Sequence, residues 1–203
     1  MFIIVRLIIV FVFLGCSALI IKKSNTEHKH KLRLAFAGVS VALVAVLPFL
    51  PFENLFMNFD SPEEAYEYYI FGKSNIELVV EGNDCDLVVD RKSDVDSYLI
   101  IPKNEDGWKI GIGSDTKNIL QRFSNGVDVC IYQYKNTGDY FITILDTSGG
   151  ELNVSDEFDT KFYSLTKSND FTGQAFTTYY AHLDNFDPQY YVTVNGNKIV
   201  LEN

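Results

Sequence analysis

The residues most able to do chemistry are acids. Asp84, Asp86, Asp90, Asp94 and Asp96 crowd into thirteen positions. Alternating carboxylates of this kind can ligate calcium, which prefers several oxygen donors. The spacing is not that of an EF-hand, because no central Gly and no closing Glu follow. The competing reading is a set of solvated acids at strand ends and turns. Two acids placed close together could also hydrolyse a glycoside, but their separation is a three-dimensional quantity.

Other chemistries are poorly supplied. His182 is the only imidazole after residue 30. It has no G-x-S-x-G partner sequence, so it reads as a hydrogen-bonded histidine rather than a general base. No C-x-x-C and no H-x-x-x-H occurs, and nothing calls for zinc or another cofactor. The G-x-G at residues 111–113 lacks the helix start that a phosphate loop needs. Cys85 and Cys130 both fall in predicted strands; two separate buried thiols are the plainer reading, and a disulfide between them is the candidate alternative.

Aromatic residues form the last cluster. Residues 176–194 carry Phe176, Tyr179, Tyr180, Phe186, Tyr190 and Tyr191. Successive strand residues face opposite ways, so one member of each Tyr pair is expected in the core. The remainder of Tyr179, Tyr180, Phe186, Tyr190 and Tyr191 are candidates for a sugar- or protein-binding face.

The elements that must hold these groups follow from periodicity. Residues 61–203 read as one β-rich domain of ordinary size. It opens on Ser61, Pro62, Glu63 and Glu64, a capping box with Pro at the first helical position. The helix is expected to stop at Gly72 and to turn Ala65, Tyr68, Tyr69 and Phe71 toward a sheet. Nine or ten strands should follow: 76–81, 85–90, 97–101, 108–112, 128–134, 140–145, 161–166, 176–183, 190–194 and a closing run at 198–201. Asn195 and Gly196 predict a type I′ hairpin turn, because both tolerate positive φ. Residues 116–123 read as a short second helix. The expected fold is mainly β with a minor α part: an antiparallel β-sandwich or a curved sheet carrying one N-terminal helix.

Before this domain the composition changes. Residues 1–21 and 34–52 are apolar apart from Arg6, and residues 22–33 hold five of the seventeen Lys and Arg. Residues 1–51 carry six basic residues against one acid, a net of +5. Residues 52–203 carry eleven against twenty-six, a net of −15. The pattern predicts a two-helix transmembrane hairpin, 1–21 and 34–52, joined by a cytoplasmic basic loop at 22–33. Residues 53–60 are expected to be an amphipathic connector on the bilayer surface. A multi-pass cell-membrane protein with an extracytoplasmic C-terminal domain follows, with the lipid bilayer and a membrane or envelope protein as partners. A cleaved signal peptide fits less well, because no basic n-region precedes the apolar run. Lipidation at Cys16 lacks the small residues before the cysteine. His28 and His30 in a cationic loop make a poor metal site, since a dication would be repelled. A domain at −15 repels phosphates, which excludes nucleic acid.

Three short stretches carry a resemblance: S-P-E-E-A at 61–65, G-W-K-I at 107–110 and V-N-G-N-K-I-V at 194–200. In layout the chain resembles small uncharacterised exported proteins of Gram-positive bacteria, with a membrane anchor, an S-P-E-E-A helix and a β-rich domain. The resemblance implies a location and a fold type, and no catalytic residue. The functional expectation is a membrane-anchored, non-enzymatic binding or interaction domain. The alternatives are a carboxylate-dependent envelope hydrolase and a cation-binding sensor or accessory domain.

Overall fold

The structure is a computed structural model that describes residues 2–24, 29–46, 52–70, 72–91, 96–111, 115–146, 152–168, 175–184, 186–187 and 189–201. Two long helices come first, α1 (Phe2–Lys23) and α2 (Lys29–Val46). They lie side by side, with the Phe13 and Phe36 rings edge-on at 6.1 Å. Ser17 is buried and its hydroxyl donates a hydrogen bond to the Phe13 carbonyl at 2.8 Å.

Among the described residues no helix is long and apolar enough to cross a membrane. The charges show why. Between Arg6 and Lys22 the uncharged run of α1 is fifteen residues, or about 22 Å of helix, against a hydrocarbon core of ~30 Å. The helix α2 starts inside the basic stretch, at Lys29, so Lys31 and Arg33 are helical. This overturns the expected two-span transmembrane hairpin. The multi-pass cell-membrane localisation and the extracytoplasmic placement deduced from it fall with it.

The rest of the chain is mainly antiparallel β. A 3-10 turn (Phe52–Leu55) leads into α3 (Pro62–Ile70). Ser61 caps α3 by accepting the Glu64 N–H at 3.2 Å, and Glu64 reaches back to the Asp60 N–H at 3.3 Å. The Ser61 half of the expected capping box is thus formed, while the Glu64 half closes one residue early, on Asp60 instead of Ser61. Ala65, Tyr66 and Tyr68 are its buried face, so Tyr66 joins the expected set, while Phe71 lies outside the described residues.

Twelve strands follow among the described residues: β1 (Ile76–Glu81), β2 (Cys85–Arg91), β3 (Asp96–Asn104), β4 (Gly107–Trp108), β5 (Thr116–Ser124), β6 (Val127–Tyr134), β7 (Tyr140–Asp146), β8 (Val154–Asp156), β9 (Tyr163–Ser168), β10 (Ala175–Leu183), β11 (Tyr191–Val194) and β12 (Asn197–Val200). They form three curled sheets, ordered β1-β2-β3-β4, β5-β6-β7-β10-β9 and β12-β11-β8. The turn between β11 and β12 has φ of 49° at Asn195 and 79° at Gly196, as a type I′ turn requires.

Two local expectations fail for identifiable reasons. Residues 116–123 are strand, not helix. A bulge between Asn118 and Leu120 breaks the alternation, so both Ile119 and Leu120 pack on the core and mimic a helical stripe. Of the expected strand at 108–112, Trp108 pairs with β3 and Lys109 donates its N–H to the Pro102 carbonyl at 2.8 Å, while residue 112 lies outside the described residues. Beyond it, the Asn54 amide takes both the N–H (2.7 Å) and the carbonyl (3.1 Å) of Ile110. The connector is therefore stitched to the first sheet. Phe59 bridges Trp108, and the Lys109 ammonium donates to the carbonyls of Asn54 and Met57.

Three apolar cores result. One lies between α3 and the first sheet, around Val88, Leu99 and Ile101. A second is shared by the first and second sheets, with Leu87, Val89 and Ile100 against Phe141 and Tyr180. The third joins the second sheet to the third, around Val129, Ile142, Val192 and Leu201. Alternate residues of β6 and β7 feed the second and third cores, which is the period-2 consequence of burying both sheet faces.

Candidate functional site

The densest meeting of chemically able groups is the β1–β2 turn, residues 82–85. It is gripped from two sides. On the first-sheet side, Asp86 is buried and accepts from the Gly82 N–H (3.1 Å), the Lys103 ammonium (2.8 Å) and the Trp108 indole N–H (2.5 Å). Lys103 also donates to the Gly82 carbonyl at 2.7 Å. The turn passes so close to itself that a Cβ on Gly82 would collide with the Cys85 carbonyl and press on the His182 ring.

On the second-sheet side stands Asp139, just before β7 and 0% exposed. Its Oδ1 accepts the Asn83 N–H (2.9 Å) and faces His182 Nε2 at 2.6 Å. Its Oδ2 accepts the N–H groups of Asp84 (2.5 Å) and Cys85 (3.0 Å) and the Cys85 thiol (3.4 Å). A further strap runs from the Asn83 amide to Asp184 Oδ1 at 2.9 Å. Burial would raise the Asp139 pKa, but the Asn83 and Asp84 N–H groups, His182 and the Cys85 thiol together outweigh it and hold the carboxyl below its ordinary value. The group is thus a carboxylate that only accepts, so the proton on the 2.6 Å contact sits on His182 Nε2. His182 Nδ1 faces Asp184 Oδ1 at 3.7 Å.

A thiol, a carboxylate and an imidazole suggest nucleophilic catalysis, but their order forbids it. A working triad places the imidazole between nucleophile and acid. Here the acid stands in the middle, and the thiol points at the carboxylate. Cys85 is fully buried, and burial followed by the charge of Asp139 pushes its thiol well above the ordinary cysteine range. A thiolate nucleophile needs the opposite. With five donors on its two oxygens, Asp139 also has no capacity left for a substrate proton. The arrangement clamps the turn between two sheets.

The structure separates the five acids singled out from the sequence. Asp86 and Asp90 are buried at opposite ends of β2. Asp90 accepts from the Asn75 N–H (2.8 Å) and the Tyr66 hydroxyl (3.1 Å). Asp84 is exposed on the turn. Asp94 lies outside the described residues, and for Asp96 the backbone pairing with Arg91 is described. Among the described residues no group of three or more His, Cys, Asp or Glu is placed to hold a metal ion. His30, on α2, lines a hollow with Lys29 and Arg33; His28 lies outside the described residues.

The candidate disulfide is corrected. Cys85 and Cys130 are both free. They belong to different sheets, and the Cys85 thiol is turned onto Asp139.

The five aromatic candidates are mostly interior. Tyr179, Tyr180 and Tyr190 are buried, whereas Phe186 and Tyr191 are half-buried. The Tyr179 hydroxyl bridges the N–H and carbonyl of Leu152. Tyr190 donates to Asp156 Oδ2 at 2.8 Å, and Phe186 packs edge-on against it. The Lys198 ammonium sits 3.4 Å above the Tyr191 ring. Asp156 also holds the N–H groups of Phe158 and Thr160 and the Thr160 hydroxyl. Burial acts against its charge, but these donors and Tyr190 keep its pKa below the ordinary value. Asp139 was missed by sequence reasoning: it sits in an ordinary N-T-G-D turn, and its partners lie 43 to 56 residues away. The lone His182 was the one visible trace of it.

No protein-family model matches the chain, and neither a curated protein nor a solved structure matches it significantly.

Proposed function

We propose that this chain is a non-enzymatic interaction protein, in which the helical pair docks on a partner protein and the β-rich part serves as its folded body. The observation that carries the reading is the exposed apolar surface of the helices. Phe11 is 67% exposed, Leu19 68% and Leu34 72%, and Ile8, Val12 and Val41 add to them. Contiguous apolar surface of this kind marks an interaction site on a folded protein. The β-rich part supports the non-enzymatic half of the reading. Its buried acids Asp86, Asp90 and Asp139, its half-buried Asp156 and its single imidazole are engaged in holding turns and strands together. The finer fold reading, a β-sandwich with α3 laid on its first sheet, belongs to the same proposal. The core shared by Leu87, Val89, Phe141 and Tyr180 supports it.

The test is recovery of the C-terminally tagged full-length protein from the cells that make it, beside a variant with Phe11→Ser, Leu19→Ser and Leu34→Ser. The expected result is one companion protein at constant ratio, reduced roughly tenfold in the variant, with circular dichroism unchanged. Equal recovery of the same companions by both proteins would count against the reading.

A further inference from the structure

We infer that the outer edge of β5 accepts an extended acidic segment of a partner protein as an added strand. This surface is separate from the helical pair and goes beyond the reading above. The strand runs nine residues, Thr116–Ser124, and ends the five-stranded sheet. Among the described residues it is the longest edge strand, and no strand pairs with its outer side. Unpaired edges are templates for another chain unless they are blocked. Four of the other five edges show such blocks; the fifth, β1, carries two acids of its own and would repel an acidic segment. The Arg91 guanidinium donates to the Thr166 carbonyl of β9 at 3.0 Å, and Phe59 bridges Trp108 beside β4. Edge strands β8 and β12 are three and four residues long.

Charge selects the occupant. In a region of net −15, β5 is the one strand among those described with two basic residues and no acid. The bulge decides where they point. Lys117 pairs with Gln133, and Arg122 pairs with Val129. Gln133 and Val129 are four apart on β6 and share a face. Lys117 and Arg122 therefore share one too, although five positions apart. Phe123 pairs with Asp128, on the opposite face, and is 68% exposed. Among the described residues neither Lys117 nor Arg122 has an ion-pair partner. The matching segment alternates acids on one face with apolar residues on the other. Main-chain hydrogen bonds would supply its affinity and the alternation its register.

The test uses the full-length protein and a labelled synthetic peptide, acetyl-EVEVEIEVE-amide. Anisotropy reads binding, and hydrogen–deuterium exchange reads its location. Binding with added protection confined to residues 116–124 is expected. The double variant Lys117→Glu, Arg122→Glu should bind roughly tenfold more weakly and should prefer the Lys-for-Glu peptide. N-methylation of alternate peptide amides keeps the charge and removes the strand's donors, so binding should vanish. Binding that survives N-methylation, protection elsewhere, or no binding up to about 1 mM overturns the proposal.

Discussion

The β1–β2 turn and the helical pair are opposites. Around the turn, polar groups are buried and matched: one carboxylate, Asp139, answers three backbone N–H groups, a thiol and an imidazole. On α1 and α2, apolar groups face outward with no partner described for the exposed positions. Burying unmatched polar groups and exposing large apolar ones are both unfavourable. The first region has resolved that conflict within the fold. The second has not, so the helical surface, and not the one cluster of reactive groups, is left to be covered by a partner.

The contrast can be broken by mutation. The largest effect is expected from Asp139→Ala, which strands several buried donors at once; a loss of about 3–5 kcal/mol in urea unfolding is expected. A loss under about 1 kcal/mol with an unchanged m-value would mean that the clamp is ornamental. Tyr190→Phe deletes one hydrogen bond to the half-buried Asp156 and should cost about 1.5–3 kcal/mol. Ser61→Ala removes the α3 cap and should cost about 1 kcal/mol in the same assay. Phe11→Ser with Leu19→Ser should sit at the other end of the scale, within about 0.5 kcal/mol, because exposed positions contribute little to folding.

Acid sharpens the same comparison. Asp139 and Asp156 have folded pKa values below the ordinary carboxyl value. Their stabilisation is fully present above about pH 4 and is lost as the pH falls through the folded values, when the carboxylates protonate. Unfolding midpoints measured from pH 6 down to pH 2 should therefore hold until about pH 4 and then drop. The Asp139→Ala variant should show a shallower drop than the wild type.

What the sequence revealed was mostly local. The α3 cap is readable because its partners lie three or four residues apart, and the Asn195–Gly196 turn because φ alone decides it. The strands β6 and β7 are readable as largely apolar, β-branched and aromatic runs because each lies between two apolar layers. The strand β5 is not, since one inserted residue at the bulge turns its pattern into a false helix. Asp139 illustrates the deeper reason. Its role depends on the β1–β2 turn and β10 arriving at the same place, and no local pattern encodes that meeting. The Tyr pairs show a milder version: the period-2 rule puts one member of a pair inside, but both Tyr179 and Tyr180 are buried because both faces of β10 are covered. The charge asymmetry is real, yet the basic stretch continues into α2 instead of separating two spans.

The central claim is that the exposed helices, and not the Asp139 cluster, meet the partner. A photo-crosslinking residue placed at position 11, and separately at position 83 beside the clamp, tests it in the cells that make the protein. One dominant adduct of defined mass from position 11, absent from position 83, is the predicted result. Adducts from position 83 alone, or the same diffuse set from both, would contradict it.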